Sequence, residues 1–167
     1  MLTNKDQRFI ESIASKLQER LEIKEKPNIY DYYGINKFIE NLGYKVVFNC
    51  FKNGQTHDTI LLEFDDPNVN YNEDNYIKML HQLFFEIWII TKKKANINIV
   101  RYNNADANYF VRAMLMPEEI FVMTVIDNTG LDGMCNIFDV AKVFRVDYIE
   151  VSARGKDLGC FNPKGKE

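Results

Sequence analysis

Residues 75–90 read NYIKMLHQLFFEIWII, the longest apolar run in the chain and the one that holds its single tryptophan, Trp88. The run has helix length and contains neither Gly nor Pro. Ile77, Leu80, Leu83, Phe84, Ile87 and Trp88 recur at helical spacing. Phe85, Ile89 and Ile90 make the helix apolar almost all round, the pattern of a central helix in a core. One polar stripe survives, Asp74, Lys78, Gln82 and Glu86, with His81 beside it. The run predicts one continuous helix over 75–90, the most buried of the domain, with Trp88 shielded from water.

Outward from this helix the chain reads in order. Phe9, Ile13, Leu17 and Leu21, four apart, predict an amphipathic helix over 4–24, ended by Pro27. A second helix is expected from about Asn28 or Asp31 to Leu42, with Gly43 as its C-cap. Tyr44–Phe51 and Thr59–Phe64 have strand composition, and Asn53-Gly54 between them signals a hairpin turn. Asp65–Asp74 reads as a loop, and Ile97–Val100 as a short strand or extended link. Helices are expected over Ala105–Met116, from Pro117 to about Ile126, over Cys135–Phe144, and from Asp147 to about Asp157. Gly155 inside the last of these predicts fraying. The expected fold is therefore α+β: a helical core around a central buried helix, a small antiparallel sheet on one side, and a C-terminal helical pair. One domain is expected over 1–160, with a disordered tail over 161–167.

With 167 residues, 46% hydrophobic and 27% charged, the composition is that of a globular protein. A net charge of -3 argues against a nucleic-acid binder over its whole surface. Three cysteines, Cys50, Cys135 and Cys160, with no C-x-x-C pair, predict reduced thiols. With no apolar core of a signal peptide and no uninterrupted span, the expectation is a cytoplasmic protein without a membrane partner. The wealth of Asn, Lys, Ile and Tyr points to a low-GC bacterium or its phage.

His81–Phe85 spells H-Q-L-F-F. A zinc peptidase helix has H-E-x-x-H there, two imidazoles one turn apart on the metal and a Glu as general base. Phe110–Pro117, FVRAMLMP, resembles the F-A-x-x-L-L-M-P segment of the ImmA/IrrE metallopeptidase family. Phe144-Arg145-Val146-Asp147, with Arg154 and Leu158-Gly159, resembles that family's closing segment, and Leu42-Gly43-Tyr44 its early L-G-I. The resemblance runs from about residue 28 to 160. It implies a zincin-like core, and a site built from His81, Phe85 and Asn104 at the metal-ligand positions and Gln82 at that of the general base. Phe85 has no donor, Asn104 is a poor zinc ligand, and Gln82 cannot take a proton from water.

The expectation is thus a degenerate member, a pseudopeptidase whose remnant cleft of His81, Gln82, Phe85 and Asn104 binds a protein partner by strand addition, with no cofactor. The resemblance suggests a phage or mobile-element regulator as that partner. Two alternatives stay open. One is an active zinc peptidase cleaving a repressor-like protein, its metal on His57, His81 and an acid such as Glu86 or Asp106. The other is a DNA-binding regulator using the C-terminal helices, with Arg145, Arg154 and Lys156 on phosphates.

Overall fold

The structure is a computed structural model and describes residues 2–21, 32–49, 54–56, 59–63, 73–97, 99 and 104–161. It is mostly helical, with seven helices and three short strands among the described residues. The helices are α1 (Asn4–Arg20), α2 (Tyr32–Asn41), α3 (Glu73–Lys94), α4 (Ala105–Leu115), α5 (Glu118–Asp127), α6 (Ile137–Phe144) and α7 (Tyr148–Asp157). The strands are β1 (Lys45–Asn49), β2 (Gly54–Thr56) and β3 (Thr59–Glu63).

The expected α+β fold with a small antiparallel sheet is overturned. Helices dominate, and the strands do not form the expected hairpin. Their order is β1-β3-β2, with β1 parallel to β3 in the register Lys45↔Thr59 to Asn49↔Glu63, and β2 antiparallel to β3. Gly54, read as half of a turn, belongs to β2 instead. The composition accounts for the order. The continuous Ile60-Leu61-Leu62 run suits a middle strand, whereas the short polar Gly54-Gln55-Thr56 suits an edge. Ile97 and Ile99 belong to no strand. Pro27, Cys50, His57, residues 65–72 of the expected Asp65–Asp74 loop and the tail from 162 onward lie outside the described residues, while Glu73 and Asp74, expected in that loop, already belong to α3.

The long run does form one helix, α3, and Trp88 is fully buried. The most enclosed helix is nevertheless α4, eight of whose eleven residues are buried. It packs against α1, α3 and α7, so three of its sides face protein. Its direction is opposite to that of α3. At its start Asp106 accepts from Trp88 Nε1 at 2.7 Å and from Lys92 Nζ at 2.5 Å, and Phe110 stacks on Trp88 at 4.9 Å between ring centroids. At its end Leu115 lies with Ile77 and His81.

Local signals explain most helix ends. Thr3 caps α1 in a reciprocal capping box with Asp6. The buried stripe of α1 is Ile10, Ala14 and Leu17, while Phe9 is exposed. Residues repeated every four positions drift about 40° per step around a helix, so Phe9 and Leu21 cannot share one face. Gly43, at φ 84°, ends α2: its N–H donates to Glu40 O at 2.8 Å and that of Tyr44 to Ile39 O at 3.2 Å, a Schellman pair. Pro117 stands at the N-cap of α5 rather than inside it. Gly155 does not fray its helix. It is buried, and a Cβ there would lie 2.0 Å from the Phe161 ring, so the glycine admits that ring against α7. No described helix is long and apolar enough to cross a membrane.

Candidate functional site

α6 is capped by Arg145 in the left-handed conformation, φ 56°, and the N-cap of α7 follows two residues later. Asp147 caps α7, its Oδ1 accepting from Ile149 N–H at 2.7 Å. This tight reversal folds α7 back on α6 and turns both toward the first half of α3. A cleft of about 1010 Å³ opens between them. α3 supplies Ile77, Lys78, His81 and Gln82, and α4 supplies Leu115. α6 supplies Phe138, Ala141 and Lys142, and the reversal and α7 supply Arg145, Val146, Asp147, Tyr148 and Glu150.

The wall of the cleft is aromatic. Phe138 and Tyr148 pack with ring centroids 5.2 Å apart, yet remain 57% and 45% exposed. His81 lies partly buried on the opposite side. Burial lowers its pKa below 6.5, the Glu150 carboxylate pulls it back up, and the Arg112 guanidinium lowers it further. The imidazole is accordingly held neutral near pH 7.

His81 and Gln82 share the cleft, as the sequence suggests. Phe85 and Asn104 are not among its lining. Phe85 packs partly buried against the core. Asn104 is exposed at the start of α4, at φ 52° with no side-chain cap bond, near the Trp88–Lys92 end of α3. Because the two helices run antiparallel, it stands at the far end from His81. The α4 side chain that His81 feels is Arg112.

The alternative ligand set is no closer to assembly. Asp106 is buried and held by Trp88 and Lys92. Glu86 is half-buried, and burial raises its pKa above 4.5. His57 lies outside the described residues. Among the described residues no three His, Cys, Asp or Glu side chains converge on a point that could hold a metal. A catalytic zinc needs about three such donors, so the described residues do not fit one.

Arg154, which the sequence suggested for phosphates, points inward. It is fully buried, its Nε donates to Met116 O at 3.0 Å, and its Nη atoms donate to the Glu11 carboxylate. Arg112 pairs with Asp157 at 2.7 Å. These two pairs tie α7 to α1 and α4.

The aromatic wall escaped the sequence reading, although its signal was present. Phe138, Ala141 and Lys142 fall at i, i+3 and i+4 on α6, with Arg145 following as its C-cap, and of these four only Ala141 is buried. Comparison of the chain with protein-family models, curated proteins and solved structures finds no match in any of the three.

Proposed function

We propose that this protein is a non-catalytic binding protein, a pseudopeptidase relative of the ImmA/IrrE family that holds a segment of a protein partner in the cleft beside His81 and Gln82. The observation that carries the reading is the half-exposed Phe138–Tyr148 pair in a concave wall. Exposed aromatic rings in a cavity of this size are the anchoring surface of peptide and protein recognition. Gln82 at the general-base position and Phe85 at a ligand position argue against hydrolysis. The partner class, a regulator from a phage or mobile element, comes from the sequence resemblance alone. Helix walls replace the sheet edge as the docking surface, so recognition is by side-chain anchors rather than strand addition.

The test is a joint one on the full chain, with metal content after purification without added metal and incubation with repressor-like proteins. Substoichiometric zinc and intact substrates are expected. One chelator-removable zinc per chain together with cleavage would return the protein to the enzymes.

A further inference from the structure

α5 buries one face, with Phe121, Thr124 and Val125, and leaves the opposite one in water. Glu119, Met123, Ile126 and Asp127 fall at i, i+4, i+7 and i+8, the spacing of a single helix face, and all four are exposed. The turn that follows adds two more apolar side chains. It is braced by the Thr129–Cys135 bridge, by Gly130 N–H donating to Met134 O at 2.9 Å, and by Met134 N–H donating to Asp132 Oδ1 at 2.9 Å. On this turn Leu131 is fully exposed and Met134 is 72% exposed. Four large apolar side chains held together in water on ordered backbone mark an interaction surface. None of them lines the cleft. The charge of this surface has one sign. Between Arg112 and Lys142 the sequence holds five acids and no Lys, Arg or His. Lys142 meets one of them, Asp139, and Glu118 faces a second cavity that Arg112 and Lys156 also line. Glu119, Asp127 and Asp132 form no ion pair among the described residues. Asp127 is the last residue of α5, at the negative end of its dipole, and no basic residue stands in that last turn. An acid there works against the helix that carries it and deepens the negative potential beside Ile126.

We infer that the outer face of α5 and the turn after it dock a basic amphipathic segment of a partner protein, with large aliphatic side chains along one side and Lys or Arg beside them. The aliphatic side chains cover Met123, Ile126, Leu131 and Met134, and the cations meet Glu119, Asp127 and Asp132. The two methionines, unbranched and polarisable, adapt to the apolar shape they meet. Like charge selects against the competing occupants. A second copy docking by the same face across a two-fold axis would set these acids against themselves. An anionic bilayer or a nucleic acid would bring further negative charge to the same place. The surface is separate from the cleft, so this inference and the cleft-binding reading stand or fall independently.

The probe is a synthetic peptide of Leu and Lys arranged at helical spacing, labelled and titrated against the full chain by fluorescence anisotropy. The controls are a scrambled peptide of the same composition and a Leu and Glu peptide of the same pattern. The double variants are Glu119→Gln with Asp127→Lys, and Ile126→Ser with Met134→Ser, all at exposed positions. The Leu and Lys peptide is expected to bind about tenfold more tightly than either control, and to weaken about tenfold with each double variant. Added salt should mimic the loss caused by the charge variant. Asp127→Lys puts a cation where the α5 dipole favours one, so lost binding with an undiminished urea midpoint reports docking and not unfolding. Equal binding of the scrambled peptide, no binding at all, or binding that ignores both double variants overturns the inference. Binding lost with Tyr148→Ala places the peptide in the cleft and overturns it too. A dimer in sedimentation that Ile126→Ser with Met134→Ser dissociates overturns it in favour of a second copy.

Discussion

Arg154→Ala should damage the fold more than any change on the cleft rim. The guanidinium is 0% exposed and joins three parts of the chain. Nε donates to the Met116 carbonyl between α4 and α5, at 3.0 Å, and Nη2 to Glu11 Oε2 on α1, at 3.2 Å. Its centre lies 5.8 Å from the Tyr109 ring centroid on α4. Alanine would leave the Glu11 carboxylate, whose side chain is 19% exposed, without its cation. Breaking a buried pair from one side costs about 3–5 kcal/mol, a large part of the ~5–15 kcal/mol that holds a typical domain together. Urea unfolding followed by the fluorescence of Trp88, itself fully buried, reads the loss as a fall in the midpoint. Glu11→Leu combined with Arg154→Met removes both charges, and should be less harmful than either single change because neither leaves an ion stranded. Arg154→Lys keeps the charge but loses the planar fork, and should recover the natural stability only in part. A loss below about 1 kcal/mol for Arg154→Ala, or a double variant equal to the sum of the singles, would refute the reasoning.

The other stability predictions use the same unfolding assay. Asp147→Ala removes the Ile149 cap bond and should cost about 1 kcal/mol, with lost helicity by circular dichroism. Gly155→Ala should destabilise by about 1–3 kcal/mol through collision with Phe161, and should become stabilising by up to about 1 kcal/mol once Phe161→Ala removes the ring; a stabilising effect with Phe161 in place would disprove the contact. Burial raises the Glu86 pKa above 4.5, so between 4.5 and the folded value the folded chain holds the proton more tightly than the unfolded one. Stability is therefore lost as pH rises through that window, and Glu86→Gln should raise the midpoint at pH 7 but not at pH 4; no gain at pH 7 would count against the burial.

What the sequence disclosed and what it hid follow from the range of the forces involved. The 75–90 helix was legible because its apolar positions recur at helical spacing within one stretch. Gly43 and Asp147 were legible because a C-cap or an N-cap depends on residues within a turn of it. Strand pairing was not, since β1 meets β3 through contacts that neither strand's sequence encodes, and the Asn53-Gly54 signal pointed to a nearer partner. Arg154 was misread for a similar reason. An arginine on a short helix looks solvated until Glu11, distant in the chain, is brought beside it. Gly155 looked like a weak point because only the fold shows the Phe161 ring against it. Of the site, His81 and Gln82 could be placed from α3 alone, whereas Phe138 and Tyr148 became a wall only when the turn at Arg145 closed.

The direction of α4 relative to α3 bears most directly on the resemblance to a peptidase. Had the ligand positions kept their places, Gln82→Glu, Phe85→His and Asn104→Glu together would rebuild a two-histidine, one-carboxylate site. Asp106, two residues after Asn104, already contacts Trp88 and Lys92. Lys92 lies eleven residues beyond His81 in the same helix, a separation of about 16 Å along its axis. A glutamate at 104 would start from that distant end, well outside the ~2 Å reach of a zinc–oxygen bond to an ion held by residues 81 and 85. The Arg112 guanidinium, which lowers the pKa of His81, adds a like charge to any cation placed there. The triple variant is therefore expected to bind zinc no more tightly than a pair of imidazoles one helical turn apart does, and Gln82→Glu with Phe85→His alone should match it in a competition titration against a chromophoric chelator. A triple variant that binds zinc at least a hundredfold more tightly than that double variant would show that residue 104 reaches the metal, and would undo the antiparallel placement on which the cleft is drawn.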